Sequence, residues 1–503
     1  MPNDSDGLRR LLQAETRTDS GSGPLSGSFL VPGLTILHHP DSGRVGERVA
    51  LIGLASKREE LLSRGELVFS QPGKDLLRPL TDPHLSRRPI RLVPGSEPGD
   101  VRLLCDETGT AVVVNGEAVA GERNLSAAEV EEGAVLLLAN RVVVLLSLLD
   151  PISPGLPSFG LVGESAPMFH LLQEIRRVAG LDIPVLLRGE TGTGKELVAR
   201  ALHDAGPRRG RPSLAINMAA VPPSLAAAEL FGAARGAYTG ADRKREGYFQ
   251  RADGGTLFLD EVGETPPEVQ ALLLRALETH EIQSVGSDDL RRVDVRLIAA
   301  TDADLESAVE AGRFRAPLLH RLAGYEIHIP PLRRRRDDFG RLFYFFLRQA
   351  LEEMGEAYRL ETPPEGRPWI PALLVARLAQ LDWPGNVRQL RNLARQIVIA
   401  GCDSGEPGMW LQAERLFKEM AQPVAPPESV RTRPVEIPPP QEKELRKAYR
   451  SAEEVTEDEL LAALRANRWR IQRAAEALGI SRGSLYDRIE KSTRIRKAAD
   501  LSR

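Results

Sequence analysis

Residues Gly189–Glu196 read G-E-T-G-T-G-K-E. Glycines in this pattern let backbone N–H groups converge on phosphate oxygens, and Lys195 supplies a cation for the β- and γ-phosphates. The apolar stretch from Pro184 precedes the glycines, and a helix is expected from about Lys195, which is the context a phosphate loop needs. The usual pattern has Ser or Thr after the lysine, as a magnesium ligand; this chain has Glu196. Downstream, Thr256–Glu261 read T-L-F-L-D-E. At the carboxyl end of an apolar strand, Asp260 can hold Mg2+ and Glu261 can orient and deprotonate an attacking water. Many strands end in a solvated carboxylate, so this pair gains its meaning from the phosphate loop. Together they point to nucleoside triphosphate hydrolysis. Between them, Gly236–Ala241 read G-A-Y-T-G-A. A glycine-bracketed aromatic suits the tip of an exposed loop that presses an apolar ring on a partner.

This set resembles the sigma-54-dependent transcriptional activators, over nearly all of Leu161–Gly401. The resemblance implies ATP with Mg2+ as cofactors. Its nucleotide-binding residues would be Gly189, Glu190, Thr191, Gly192, Thr193, Gly194, Lys195, Glu196, Asp260 (the metal ligand) and Arg388, the last at the family's second sensor in W-P-G-N-V-R-Q-L-R-N. Glu261 would be catalytic, restrained by Asn217 until the nucleotide state changes. Arg315 and Arg321 would act as arginine fingers reaching a neighbouring subunit, because charge on a transferring phosphoryl group must be met by a cation. Gly236, Ala237, Tyr238, Thr239, Gly240 and Ala241 would contact the sigma factor of RNA polymerase; Phe is the usual ring where this chain has Tyr238. Two further departures are Pro317, where Asp is common, and Asp302, where a sensor Asn is usual. The active form implied is a homo-hexamer with ATP between subunits.

The surrounding pattern can position these groups. Strand-like pieces start at Pro184, Ser213, Thr256, Val295 and Tyr325, with helical stretches between them, as in a parallel sheet covered by helices. One such helix, Pro267–Glu278, carries Val269, Leu273, Ala276 and Leu277 on one face. A helical subdomain is expected over about 339–401. The run Arg333–Arg336 is followed by Asp337 and Asp338, and reads as a solvated turn leading into that subdomain.

Ile471–Glu490 read as a helix-turn-helix. Ala474, Ala475 and Leu478 form a small-residue face, Gly479 turns the chain, Ser481 caps the next helix, and Leu485 and Ile489 anchor it. Between Arg465 and Lys497 stand ten Lys or Arg against three Asp or Glu, a local basic patch. The segment resembles the Fis-type domain that ends most members of the family. Double-stranded DNA is thus an expected partner, with Arg482, Ser484, Tyr486 and Arg488 available to it.

The fold class expected is multidomain: an N-terminal β-sandwich, a central α/β ATPase with a helical subdomain, and a C-terminal all-α unit. The boundaries read as a polar leader 1–28, a β-domain 29–150, a Pro-rich linker 151–160, the ATPase 161–401, a linker 402–450 and the DNA-binding unit 451–503. From Gly133, two apolar runs broken at Asn140 and Arg141 read as a buried hairpin. The β-domain resembles a forkhead-associated (FHA) domain through H-L-S-R-R-P around Ser86, V-V-N-G at Val113 and the strand after Val130. Leu54 stands at a binding Arg, Pro89 replaces a His, and a binding Asn is missing before V-V-N-G. A protein-interaction or intramolecular regulatory role with weak phosphothreonine affinity is expected, with Ser86, Arg87 and Arg88 as the remaining polar groups.

The 503 residues carry a net charge of -3 and two cysteines, Cys105 and Cys402. That excludes a disulfide framework or a cysteine-based zinc site and fits a reducing cytoplasm. No secretory signal and no membrane span are read. A DNA-bound scaffold with a degenerate ATPase is the second reading, prompted by Asp302 and Pro317. An unfoldase or helicase ranks last, because it would lack the G-A-Y-T-G-A loop.

Overall fold

Among the described residues, twelve short strands build the β-domain: β1 Val31–His38, β2 Arg48–Ala50, β3 Glu60–Leu62, β4 Val68–Ser70, β5 Leu77–Pro79, β6 Ile90–Pro94, β7 Val101–Leu104, β8 Val112–Val114, β9 Glu117–Ala118, β10 Glu122–Leu125, β11 Ala134–Leu138 and β12 Val142–Leu149. They form two antiparallel sheets, ordered β5-β4-β2-β1-β12-β11-β8-β9 and β10-β7-β6-β3. The expected hairpin is β11–β12. Ala139 and Asn140 turn it at positive φ. The computed structural model describes residues 30–71, 76–150, 157–237, 243–361, 366–421, 455–467, 471–478, 480, 485, 489 and 492. The expected leader 1–28 lies outside these residues, as do 151–156 and 422–450 of the two expected linkers.

Alternation along β1, β11 and β12 divides their side chains between two cores. Leu34, Ile36, Leu136, Val142, Val144 and Leu146 point between the two sheets. Leu37, Val135, Leu137, Val143 and Leu145 point the other way and pack with Phe339, Phe343, Leu347 and Val375. The latter belong to helices Phe339–Glu353 and Ala372–Leu378 of the helical subdomain. Both faces of these three strands are therefore largely dry, and β12 loses the polar alternation of a half-exposed strand. Gly340 belongs to this contact: a Cβ there would lie 2.7 Å from the carbonyl oxygen of Leu37. Polar ties surround it. Arg48 donates to the Glu164 carbonyl at 2.9 Å, and Arg141 donates to the Gly366 carbonyl at 3.2 Å. Arg341 pairs with the Glu164 carboxylate.

The central sheet is parallel. Its strands are β13 Val185–Arg188, β14 Ser213–Asn217, β15 Thr256–Asp260, β18 Arg296–Thr301 and β19 Tyr325–His328, with β16 Glu281–Gln283 and β17 Leu290–Arg292 forming a separate hairpin. The order is β14-β15-β18-β13-β19, so β18 lies between the phosphate-loop strand and the Asp260 strand. The five strands fall on the pieces expected from sequence. Helix Pro267–Thr279 buries Val269, Leu273, Ala276 and Leu277, as its spacing requires.

The helical subdomain departs from the expected boundary. Helix Asn386–Ser404 is followed at once by helix Glu406–Ala421, which buries Met409, Ala413 and Leu416 in the same core. Residues 402–421 are thus not linker. Gly405 at φ 64° reverses the chain, and Pro407 sits where a helix tolerates it, in the first turn.

The described residues before 422 and those from 455 onward belong to two separate compact units. In the second, helix Glu457–Ala466 opens on a Thr456 capping box. Val455, Leu460, Leu464, Ala474, Ala475, Ile480 and Leu485 form its core, with Leu478 and Ile489 partly buried against it. The small-residue face is therefore buried as expected.

Candidate nucleotide site

The phosphate loop follows β13 and ends in helix Lys195–Asp204. Gly192 and Gly194 adopt φ of 78° and 106°, open to glycine and strained for other residues. Lys195 is buried, and its Nζ donates to the Gly189 carbonyl at 3.0 Å. It also lies 3.5 Å from Glu261 Oε1. The predicted cation and general base therefore meet in one site. Glu196 is exposed on the first turn of the helix.

Asn217 and Asp260 are register partners on the neighbouring strands β14 and β15. Asn217 Nδ2 donates to Asp260 Oδ2 at 3.1 Å. Side-by-side register gives the Asn217 amide to Asp260, where the resemblance led us to expect a partner in Glu261, and Glu261 turns out of the strand at φ 52°. A non-glycine residue held there is strained, a feature that concentrates at working sites. Asp260 Oδ1 is buried and has no hydrogen-bond partner among the described residues. An orphaned carboxylate oxygen beside the phosphate loop fits a divalent cation.

Burial raises the Glu261 carboxyl above its ordinary range, and the neighbouring Asp302 and Asp260 add to this while Lys195 opposes it. A carboxyl with raised proton affinity is the better base near neutral pH. Asp302 follows β18 and accepts a hydrogen bond from Thr191 Oγ1 at 2.7 Å, which holds its own carboxyl below the ordinary range. The unusual sensor residue is thus joined to the phosphate loop. Thr193 Oγ1 donates to the Glu190 carbonyl at 2.8 Å, an internal brace of the loop.

Arg388 is exposed on helix Asn386–Ser404, and its backbone N–H donates to the Gly192 carbonyl at 3.3 Å. Arg315 and Arg321 are exposed at helix Ala316–Leu322. Arg321 donates to the Leu277 carbonyl at 2.9 Å, and Arg315 N–H donates to Gln270 Oε1 at 2.9 Å. The run Arg333–Arg336 is not simply solvated, as sequence suggested. Arg335 is buried against Met168 and the Thr193 carbonyl. Arg333 makes a two-pronged ion pair with Glu190, a contact the sequence reading missed.

The described chain on either side of the G-A-Y-T-G-A motif is pinned at Ala233. Ala233 bridges both Arg245 and Val285, the latter preceding β17. Gly236 and Ala237 are described; Tyr238, Thr239, Gly240 and Ala241 lie outside the described residues. So do Arg482, Ser484, Tyr486 and Arg488.

A parallel sheet of this order, with a glycine-lysine loop, a strand-end carboxylate pair and a helical lid bearing Arg388, defines a P-loop ATPase of the AAA+ class. Residues 161–328 match the Sigma-54 interaction domain, 333–432 the AAA+ ATPase lid domain and 451–491 the bacterial regulatory protein Fis family. The chain is 40% identical over 333 residues to the transcriptional regulatory protein ZraR of Escherichia coli K12, across 66% of this chain and 69% of that protein. It is 44% identical over 261 residues to the regulatory protein LuxO of Vibrio cholerae serotype O1, across 52% of this chain and 48% of LuxO. It thus spans about half the length of LuxO. The crystal structure of NtrX from Brucella abortus in complex with ATP is 30% identical with a TM-score of 0.44, over 66% of this chain and 69% of that one. The chain belongs to the sigma-54-dependent transcriptional activators.

Proposed function

We propose that this protein binds DNA upstream of promoters and uses ATP hydrolysis to remodel sigma-54 RNA polymerase into the open complex. The observation that carries this reading is the joining of two devices in one domain: a phosphate loop facing Asp260 and Glu261, and the G-A-Y-T-G-A sequence, which follows the bridge residue Ala233. ATP would lie along Gly189–Lys195, with Lys195 turning from Gly189 and Glu261 to the phosphates. Asp260, braced by Asn217, would hold Mg2+, which neutralises charge on the phosphates when bound. Glu261 takes a proton from water as the oxygen attacks the γ-phosphorus; the bond to the β–γ bridging oxygen breaks, releasing ADP and phosphate. Arg315 and Arg321, both exposed, suit the γ-phosphate of a neighbouring subunit in a homo-hexamer. Changes at the nucleotide would then be passed to Tyr238 and Thr239. The C-terminal unit would hold DNA through Arg482, Ser484, Tyr486 and Arg488, in a cytoplasmic setting.

The test is open-complex formation in vitro by the full chain with sigma-54 polymerase and ATP. Wild type is expected to support it, and Thr239→Ala to keep ATPase activity while losing sigma-factor contact and open complexes. Loss of ATPase activity and hexamers in Thr239→Ala would make the loop structural. The degenerate-scaffold reading is less favoured, because Lys195, Asp260, Glu261 and Asp302 are assembled together.

For the β-domain, two antiparallel sheets support an FHA-like sandwich with little phosphothreonine affinity. Leu54 belongs to the inter-sheet core, and Arg88 is occupied by Asp106 at 3.4 Å. Calorimetric titration against phosphothreonine peptides tests this: micromolar binding that vanishes with dephosphorylation and with Arg87→Ala would overturn it. Its contact with the lid favours an intramolecular regulatory role.

A further inference from the structure

Glu190 puts a carboxylate in the middle of a phosphate loop, where a free anion would repel the ligand the loop is built to hold. The structure shows what restrains it. Arg333 Nη1 donates to Glu190 Oε2 at 2.8 Å, and Nη2 donates to Oε1 at 2.5 Å. Asn386 Nδ2 donates to Glu190 Oε2 at 3.1 Å and also to the Thr191 carbonyl at 3.1 Å. Asn386 Oδ1 accepts from the Leu332 N–H at 2.8 Å. Asn386 is fully buried at φ 49°, a left-handed conformation that Asn tolerates better than most residues. Its amide thus serves three partners across two segments.

The residues that hold Glu190 belong to the lid junction. Leu332 and Arg333 follow β19 on the way into the lid, and Asn386 opens the helix that carries Arg388. The backbones are also in close contact. A Cβ on Gly192 would lie 2.4 Å from the Gly385 carbonyl oxygen and 3.0 Å from Arg388 Cβ. The side chains of Arg333 and Glu190 are 39% and 41% exposed, so the pair adds little to global stability. Its local effect is larger: the guanidinium neutralises the one anion on the loop tip and turns it towards the lid.

Resting on the nucleotide-site reading above, we propose that Arg333 and Asn386 are positioning residues: they neutralise and anchor Glu190, so that the phosphate loop and the Arg388-bearing lid helix respond to nucleotide as one body. Arg333 acts on affinity by removing a repulsive charge. Asn386 acts on turnover by fixing Arg388 relative to the loop.

The experiment uses the full chain, fluorescent ADP binding and steady-state ATP hydrolysis. Arg333→Ala is expected to raise Kd and KM about tenfold, the worth of one charge-assisted contact, with kcat changing less. Arg333→Lys should recover part of that loss. Adding Glu190→Gln to Arg333→Ala should restore affinity, because the unscreened anion is gone; a general folding defect would not be rescued this way. Asn386→Ala should lower kcat, and should add little in an Arg388→Ala background, since both would remove the same placement. Unchanged Kd and KM in Arg333→Ala, with wild type binding normally, would overturn the proposal alone. Persistent loss in the Glu190→Gln, Arg333→Ala double variant would also overturn it. A wild-type chain that binds no nucleotide would overturn the site reading itself and this proposal with it.

Discussion

His38 at the end of β1 and Tyr344 in helix Phe339–Glu353 share a buried hydrogen bond of 2.5 Å between His38 Nδ1 and the tyrosine hydroxyl, across 306 positions of sequence. It lies within the apolar contact between the β-domain and the lid. Burial lowers the His38 pKa to about 3, with the nearby His39 and Arg141 adding to the effect. Arg141 is itself paired with Asp82 at 3.1 Å, and burial raises the Tyr344 hydroxyl above its ordinary range. His38 is therefore neutral in the docked structure.

The sign of the pH dependence follows. Between the ordinary histidine value of 6.5 and about 3, an unfolded chain holds a proton on His38 that the docked chain excludes. Stability contributed here is complete above pH 6.5 and falls as pH drops through that window, by up to about 1.4 kcal/mol per pH unit. His39 is shifted down as well, chiefly by burial, and acts in the same direction. The Tm of the full chain is expected to fall between pH 7.5 and 5, roughly over the upper part of the histidine range. His38→Leu should flatten part of that fall, leaving the share due to His39. An equal slope in both proteins would remove His38 from the account.

Gly340 tests the same contact by shape. In Gly340→Ala the new methyl meets the Leu37 carbonyl oxygen at 2.7 Å. Alanine favours the helix itself by roughly 1 kcal/mol, so the helix should survive while the docking weakens. Limited proteolysis should cut faster in the stretch joining the β-domain to the ATPase. Wild-type cleavage rates would show that the contact absorbs the methyl.

At the nucleotide site, Lys195→Ala should lose nucleotide binding. Glu261→Gln should bind ATP and hydrolyse it on the order of a hundredfold or more slowly, since the water loses its base. The measurements are nucleotide binding and single-turnover hydrolysis. Equal turnover by Glu261→Gln and wild type would end the assignment.

The exposed arginines invite a mixing experiment. Lys195→Ala and Arg321→Ala proteins, each inactive, should recover some hydrolysis when combined, because some mixed interfaces pair an intact loop with an intact finger. No recovery in mixtures shown to exchange subunits would place Arg321 in cis or in the fold, where it already caps the Leu277 carbonyl.

For DNA, Arg482→Ala or Arg488→Ala should weaken binding, and a lost phosphate contact should reduce the slope of log K against log salt by about one. Footprinting and salt titration measure this. Unchanged footprints in both variants would move recognition elsewhere.

The parts of this molecule legible in sequence were those written locally. The glycine-lysine loop, the five core strands and the small-residue face at Ala474 and Ala475 each depend on neighbours a few positions apart. Asn217 was legible as a site residue, but its partner depended on strand register, which pairs it with Asp260. The clamp on Glu190 joins residues 143 and 196 positions apart, and no local pattern announces it. Helix Glu406–Ala421 was missed because Gly405 and Pro407 resemble the start of a linker, although they turn the chain directly into another packed helix.

The strands β1, β12 and β11 are apolar on both sides, and the lid packs on the side turned away from the inter-sheet core. A β-domain lifted from the lid would bare Leu37, Val143 and Leu145 as a greasy plate in water. Such a plate favours self-association and clumping over free tumbling. The apolar contact with the lid therefore keeps Leu37, Val143 and Leu145 out of water.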